Sequence, residues 1–301
     1  MQDLTEHKSE AARITIKSGD LTTKCPASRL YYRAGKFDAI IPRAMARGLM
    51  AGRAIEQILD APPEDLSQIP SLITVAKDLM LCGMADEGRT AGSWEPDDIA
   101  LEITPAMGYF CERVIPWLKE NGWKLVGQEV PIRWEVGEGV EFSSHLDALF
   151  ECDGDYLILD WKWTKEAPTH RHCDMDLQMR SYRAALMFGE VCIDGFWTPM
   201  PMERPPAAAL VWLPGLMPYS RRVKCTVKGE ERVFLKGDAR PFDKVIHWCS
   251  GPSLDVPAIT NQILLRAKWL ASGIAPEIPT PDGCMVCSSK QWCCTTQQIE
   301  D

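Results

Sequence analysis

DALFECDGDYLILDWKW, residues 147–163, sets two charged side chains, Asp160 and Lys162, into one of the most aliphatic segments of the chain. Lone charges in such a segment are costly unless they are paired or bound to an ion. Asp153-Gly154 is a two-residue hairpin signal with strand-like residues on both sides. With those two residues as the loop, Cys152 faces Asp155, and counting back along both strands puts Asp147 directly opposite Asp160. Side chains alternate along a strand, so Asp160 and Lys162 share one face while Leu157, Leu159, Trp161 and Trp163 share the other. Directly opposed residues have Cβ atoms about 4.5–5.5 Å apart, where like charges destabilise the sheet. Two carboxylates and an ammonium therefore meet on one face of a largely apolar hairpin. A divalent cation resolves the repulsion, because hard cations take carboxylate oxygens. The competing reading is a solvated hairpin with a chance Asp/Lys pair.

The remaining composition is that of an ordinary globular protein, with 301 residues, 46% of them hydrophobic and 25% charged. That is enough for one large domain or two smaller ones. No apolar run is long enough to span a membrane, and the polar opening MQDLTEHKSE does not read as a signal peptide. A cytoplasmic setting is expected, and the twelve cysteines are then expected to be reduced. The net charge of −9 argues against broad attraction to a polyanion. It leaves room for a local basic groove or an acidic pocket that loads metal.

Periodicity predicts a helix over 42–60, opened by Pro42 and patterned by Met45, Leu49, Ile55, Ile58 and Leu59. Further helices are expected near 71–82 and 97–120, the second broken at Pro105 and Pro116. Strands follow at 125–136, 140–151 and 156–163, then a helix over 174–188. Later strands are expected at 207–213, 221–227 and 230–235, with a last helix over 256–271. This order suggests one α/β domain over 1–301, with a helical insertion over 61–120 and a cysteine-rich tail over 272–301.

Three further features carry chemistry. Gln178 and Tyr182, in LQMRSY, are four residues apart and so share a helix face, where they suit a phosphate or a base. In GLMAGRAIEQIL, Gly52 and Glu56 have the same spacing, with Gly52 expected to allow close approach of another backbone. Arg43, Arg47 and Arg53 add positive charge around that helix, as phosphate contacts or as a solvated face. The tail carries Cys284, Cys287 and Cys293, with Cys294 adjacent and Cys25 far upstream. Zinc modules usually pair two CxxC knuckles, whereas an iron–sulfur cluster needs four thiolates and accepts irregular spacing.

In this order the features resemble the PD-(D/E)xK nuclease superfamily, and within it the RecB-like branch that carries an iron–sulfur cluster. That branch includes the CRISPR-associated adaptation exonucleases and the nuclease domain of AddB. Its motifs run from an N-terminal cysteine and a helix with a metal-binding histidine or glutamate to an aspartate, D/E-x-K, QxxxY and three C-terminal cysteines. Cys25, Glu56, Asp147, Asp160-Trp161-Lys162, Gln178 to Tyr182, and Cys284, Cys287 and Cys293 follow that order. The resemblance implies a restriction-endonuclease-like core, a central mixed sheet flanked by helices. It also implies a [4Fe–4S] cluster on Cys25, Cys284, Cys287 and Cys293 that joins the N- and C-terminal segments, with Cys294 the alternative to Cys293. The implied activity is that of a Mg²⁺- or Mn²⁺-dependent deoxyribonuclease, an exonuclease acting on single-stranded or frayed DNA ends. Glu56, Asp147, Asp160 and the Trp161 carbonyl would hold the metal. Lys162 would orient the attacking water, and Gln178, Tyr182 and Arg53 would contact the DNA. Glu56 stands where this branch often has histidine, and a glutamate at that place resembles the phage recombination exonucleases of the same superfamily. Glu102 and Glu112 are the next candidates, and His145 is a candidate outer partner of the site. The setting implied is a prokaryotic cell or phage-infected host, with a CRISPR integrase, recombinase or helicase as partner and no membrane. Two other readings stay open: a catalytically silent DNA-end-binding protein, and a zinc-stabilised interaction protein.

Overall fold

Asp153 and Gly154 both take positive φ, 50° and 84°, and close the two-residue hairpin that their identities predict. Cys152 faces Asp155 and the ladder runs back to Ala148 opposite Leu159, the expected register. This hairpin lies at the centre of the fold. The computed structural model describes residues 13–22, 26–35, 39–137, 139–168, 176–221, 225–227, 230–232, 235–239, 242, 245–249 and 254–273.

The helices are α1 (Ser18–Thr22), α2 (Pro26–Arg33), α3 (Arg43–Asp60), α4 (Ile69–Asp86), α5 (Pro96–Tyr109), α6 (Ile115–Glu120), α7 (Leu177–Phe188) and α8 (Val256–Ser272). The strands are β1 (Ile14–Lys17), β2 (Ile40–Ile41), β3 (Thr90–Ala91), β4 (Lys124–Gly137), β5 (Val140–Cys152), β6 (Asp155–Lys162) and β7 (Glu190–Ile193). They continue with β8 (Phe196–Thr198), β9 (Ala207–Trp212), β10 (Pro218–Arg221), β11 (Cys225–Val227), β12 (Glu230–Arg232), β13 (Leu235–Ala239) and β14 (Ile246–Trp248). An eight-stranded sheet has the order β14-β9-β6-β5-β4-β7-β8, with β1 added beside β5. It is mixed: β1–β5 and β6–β9 are parallel pairs and the others antiparallel.

Helices cover both faces, as the sequence predicts. Ala148, Phe150, Leu157 and Leu159 pack with α3, α4, α5 and α6 in one apolar core. Val130, Ile132, Phe142, Leu146 and Ile158 pack with α7 and α8 in the other. Gly189 fixes the join between α7 and β4, since a Cβ there would lie 2.0 Å from the Arg133 carbonyl oxygen. Among the described residues no helix is long and apolar enough to cross a membrane.

Four local expectations are corrected. α3 buries Ala46, Met50, Ala51, Ala54, Ile55 and Ile58, whereas Met45 and Leu49 are exposed. Small alanines bring α3 close to its helical neighbours, so packing distance rather than side-chain size selects the face. Gly52 faces open space and is not a point of backbone approach. Pro105 lies inside an unbroken α5, and the interruption is a π-turn at Phe110–Val114. There the Ile115 N–H reaches the Phe110 carbonyl, a longer step that makes room for the Pro116 ring at the start of α6. The strands expected at 221–227 and 230–235 are two small ladders, β10–β13 and β11–β12.

Candidate active site

Past Leu159 the two hairpin strands part. β6 stays with β9 as far as Lys162 opposite Trp212, while its ladder with β5 ends at Ala148. The Asp147 carboxylate enters the gap and accepts the Trp161 N–H at 2.9 Å. Asp160 is 1% exposed, and its Oδ2 lies 2.6 Å from Lys162 Nζ. Burial raises the pKa of Asp147 well above the usual carboxylate value, and the charge of Asp160 raises it further. Burial likewise raises Asp160, against the pull of Lys162. Burial works against the lysine's charge, but the Asp160 carboxylate outweighs it and the Lys162 pKa is raised. The sequence-derived pairing of two carboxylates with one ammonium is therefore present, with Asp160 buried and Asp147 and Lys162 half-buried beside it.

α7 supplies the next layer. Asp176 caps it by accepting the Gln178 N–H at 2.8 Å, which sets Gln178 at the first turn facing β6. Lys162 Nζ donates to Gln178 Oε1 at 3.3 Å, and Gln178 Nε2 donates to the Tyr182 hydroxyl at 2.7 Å. Ser144 Oγ also donates to that hydroxyl at 3.3 Å, and Ser18 bonds to it as well. Tyr182 is only 2% exposed, and burial with the nearby Asp160 charge pushes its hydroxyl up to about 12. In this structure the Tyr182 ring is turned inward beside Phe142, with its hydroxyl on Gln178 and Ser144. Gln178 and Tyr182 hold Lys162 in place. Tyr182→Phe removes the hydroxyl's bonds to Gln178, Ser144 and Ser18. The Gln178 bond, worth roughly 0.5–1.5 kcal/mol, is the one that reaches Lys162, and the change is expected to lower turnover about three- to tenfold with DNA affinity unchanged. Parallel measurements of kcat and of binding to labelled DNA check this; a loss confined to affinity would favour the DNA-contact role.

Glu129 was missed in the sequence. It lies across from Asp147 between the pairs Gln128–Ala148 and Val130–Leu146, with a left-handed φ of 46°. Both strands change face there: Ala148 points to the α3 core, whereas Val130 and Leu146 point to the α7 core. A left-handed residue other than glycine costs roughly 1–3 kcal/mol and is characteristic of functional sites. Burial and the charge of Glu56 raise the Glu129 pKa, with Arg53 opposing. Glu56 itself is gripped by Arg53, whose Nη1 donates to Oε1 and Oε2 at 3.0 and 2.8 Å. Arg43 and Arg47 pair with Glu102 on α5, so these side chains are engaged with each other. His145 is exposed on β5, its pKa lowered by partial burial and by Lys17.

Among the described residues, no three His, Cys, Asp or Glu side chains come together closely enough to hold a metal ion. The donor set still suits a hard cation. The Asp160 carboxylate is buried with Lys162 as its only bonded cation among the described residues, and burial and repulsion raise the pKa of Asp147.

An aspartate at the mouth of a split hairpin, followed by D-x-K on the next strand, is the arrangement these residues present. The family model of the PD-(D/E)XK nuclease superfamily matches residues 18–294. The chain belongs to the PD-(D/E)XK nuclease superfamily. A comparison with curated proteins gave no match. Membership implies a nuclease that binds DNA, and PD-(D/E)XK nucleases usually work with divalent metal ions. The mixed sheet flanked by helices fits the superfamily's restriction-endonuclease-like core. Cys25, Cys284, Cys287, Cys293 and Cys294 lie outside the described residues.

Proposed function

We propose that the protein is a Mg²⁺- or Mn²⁺-dependent deoxyribonuclease that degrades single-stranded or frayed DNA from an end. The observation that carries this reading is the half-buried Asp147 beside the buried Asp160, with Lys162 against them, inside a PD-(D/E)XK chain. Asp147, Asp160 and the Trp161 carbonyl would hold the ion, with Glu56 joining once Arg53 releases it. When bound, the metal supplies Lewis-acid polarisation of the phosphate and a water of lowered pKa. Lys162, positioned by Gln178 and Tyr182, keeps its proton and offsets the negative charge that grows on the phosphate. Arg53, once freed from Glu56, stands ready for a phosphate oxygen. The proposed [4Fe–4S] cluster on Cys25, Cys284, Cys287 and Cys293, with Cys294 the alternative to Cys293, rests on the order of these cysteines and the resemblance to the cluster-bearing branch. It would serve folding, since hydrolysis needs no redox step.

Linear and circular single-stranded DNA, and blunt duplex, each incubated with Mn²⁺, test the proposal. Stepwise shortening of the linear strand with the circle intact is expected. Cutting of the circle at an equal rate would make the enzyme an endonuclease. Glu56→Gln is expected to raise the Mn²⁺ concentration for half-maximal activity about tenfold or more, because a neutral amide binds hard cations poorly. An unchanged metal titration would remove Glu56 from the site.

A further inference from the structure

β7 and β8 form the outer hairpin of the sheet, closed by Asp194-Gly195 with φ of 51° and 83°. Their register ties this edge to the carboxylates. Val191 pairs with Ile132 and the strands are antiparallel, so the hairpin tip advances along β4 toward Glu129. One side-chain row back from Glu129 and Asp147, Pro131 pairs with His145, and Cys192 pairs with Trp197. A further row back, Lys17, Ser143, Arg133 and Glu190 are paired in a line across four strands. Rows on one face are about 7 Å apart and strands about 5 Å apart. Trp197 therefore stands on the order of 12 Å from the Glu129–Asp147 row.

Among the described residues, no helix covers one side of this part of the sheet, where Pro131, Arg133 and Ser143 are half-buried and His145 is exposed. Pro131, Arg133, Ser143 and His145 belong to neither apolar core, while their alternates Val130, Ile132, Phe142 and Leu146 lie under α7 and α8. Trp197 is on the same side as Arg133, because the Arg133 guanidinium carbon lies 4.3 Å from its ring centroid. The indole is 38% exposed, and Arg133 is fixed in turn by Glu190 at 2.6 Å. A flat apolar ring braced from behind is a stacking platform that needs little further ordering.

We infer that this sheet face is the track of a single DNA strand on its way to the carboxylates, with Trp197 stacking on a base. The inference rests on the nuclease reading above and names its substrate form. Charge decides between strand and duplex. Among the described residues the three cations of this face, Arg13, Lys17 and Arg133, are balanced by Glu135, Glu141 and Glu190, which leaves no cationic surplus there to follow duplex phosphates. Stacking must then carry affinity, and a duplex keeps its base faces covered. Binding should accordingly depend weakly on salt, unlike binding through many phosphate contacts.

The test uses the full chain in chelator, so that no cleavage occurs, with fluorescein-labelled oligo(dT) and a blunt duplex read by anisotropy. Trp197→Ala is expected to weaken oligo(dT) binding about tenfold, Trp197→Phe about twofold, and neither to change duplex binding. In cleavage assays with Mn²⁺ the rise in KM should exceed any fall in kcat. Photocrosslinking of wild-type protein to 5-iodouracil oligonucleotides should label the peptide that contains Trp197, a readout that needs no variant. Wild-type affinity in Trp197→Ala, or crosslinks only outside β4, β5, β7 and β8, overturns the inference. An equal loss of duplex binding, or a dimer dissociated by Trp197→Ala with oligo(dT) affinity unchanged, overturns it too, the latter giving this edge to a second copy. A wild-type protein that cleaves linear DNA while Trp197→Ala binds normally sinks the track alone. One that neither binds nor cleaves DNA sinks the nuclease reading with it.

Discussion

Asp147→Asn is expected to cut DNA cleavage by about a thousandfold or more, a loss on the scale of removing a main electrostatic contact to the reacting centre. The same change is expected to stabilise the metal-free protein at neutral pH. Asparagine keeps an oxygen for the Trp161 N–H and removes the charge that burial and Asp160 penalise. The Asp160–Lys162 pair stays intact. The sign follows from linkage. A carboxyl whose folded pKa is raised above 3.8 leaves the folded state holding more protons than the unfolded chain. Stability is then full below 3.8 and is lost as pH rises from there through the raised value. Thermal unfolding in chelator should show wild type losing stability across that window and Asp147→Asn losing less. A variant that melts lower than wild type at neutral pH would mean that the pair is not under repulsion.

Lys162→Met is expected to have the largest effect on folding. Lys162 is the only cation bonded to the carboxylate of Asp160 among the described residues, and that carboxylate is almost wholly buried. Removing one partner of a buried ion pair leaves an uncompensated charge and typically costs about 3–5 kcal/mol. Activity should fall with it, by about a hundredfold or more, since the charge that offsets the phosphate is gone. Part of the stability should return in Lys162→Met/Asp160→Asn, in which neither charge remains, while activity stays lost. Denaturant unfolding of the two variants separates these effects. If Lys162→Met unfolds like wild type, the buried pair is not holding the hairpin.

The hairpin was legible because everything that fixes it is local. Asp153-Gly154 sets the turn, the turn sets the register, and the register places Asp147 against Asp160. The same signal recurs at Asp194-Gly195, but the short flanks and exposed Phe196 and Trp197 of the β7–β8 pair carry no buried-strand pattern. Glu129 was not legible. Its place depends on a left-handed kink and on pairing with β5 across irregular positions near Gly127 and Gly137, which no periodicity reports. The pairing of Gln178 with Tyr182 was legible from their spacing, but not its direction. Only the packing of α7 on the sheet shows the tyrosine turned inward onto Ser144 and the glutamine turned toward Lys162.

A titration of Mn²⁺ into wild type and Asp147→Asn, with end-labelled single-stranded DNA present and cleavage followed at each concentration, tests the assignment of the site most directly. Metal-dependent product from wild type, none in chelator, and none from the variant even at the highest Mn²⁺ is the expected result. Equal cleavage by the two proteins, or cleavage by wild type in chelator, would contradict it.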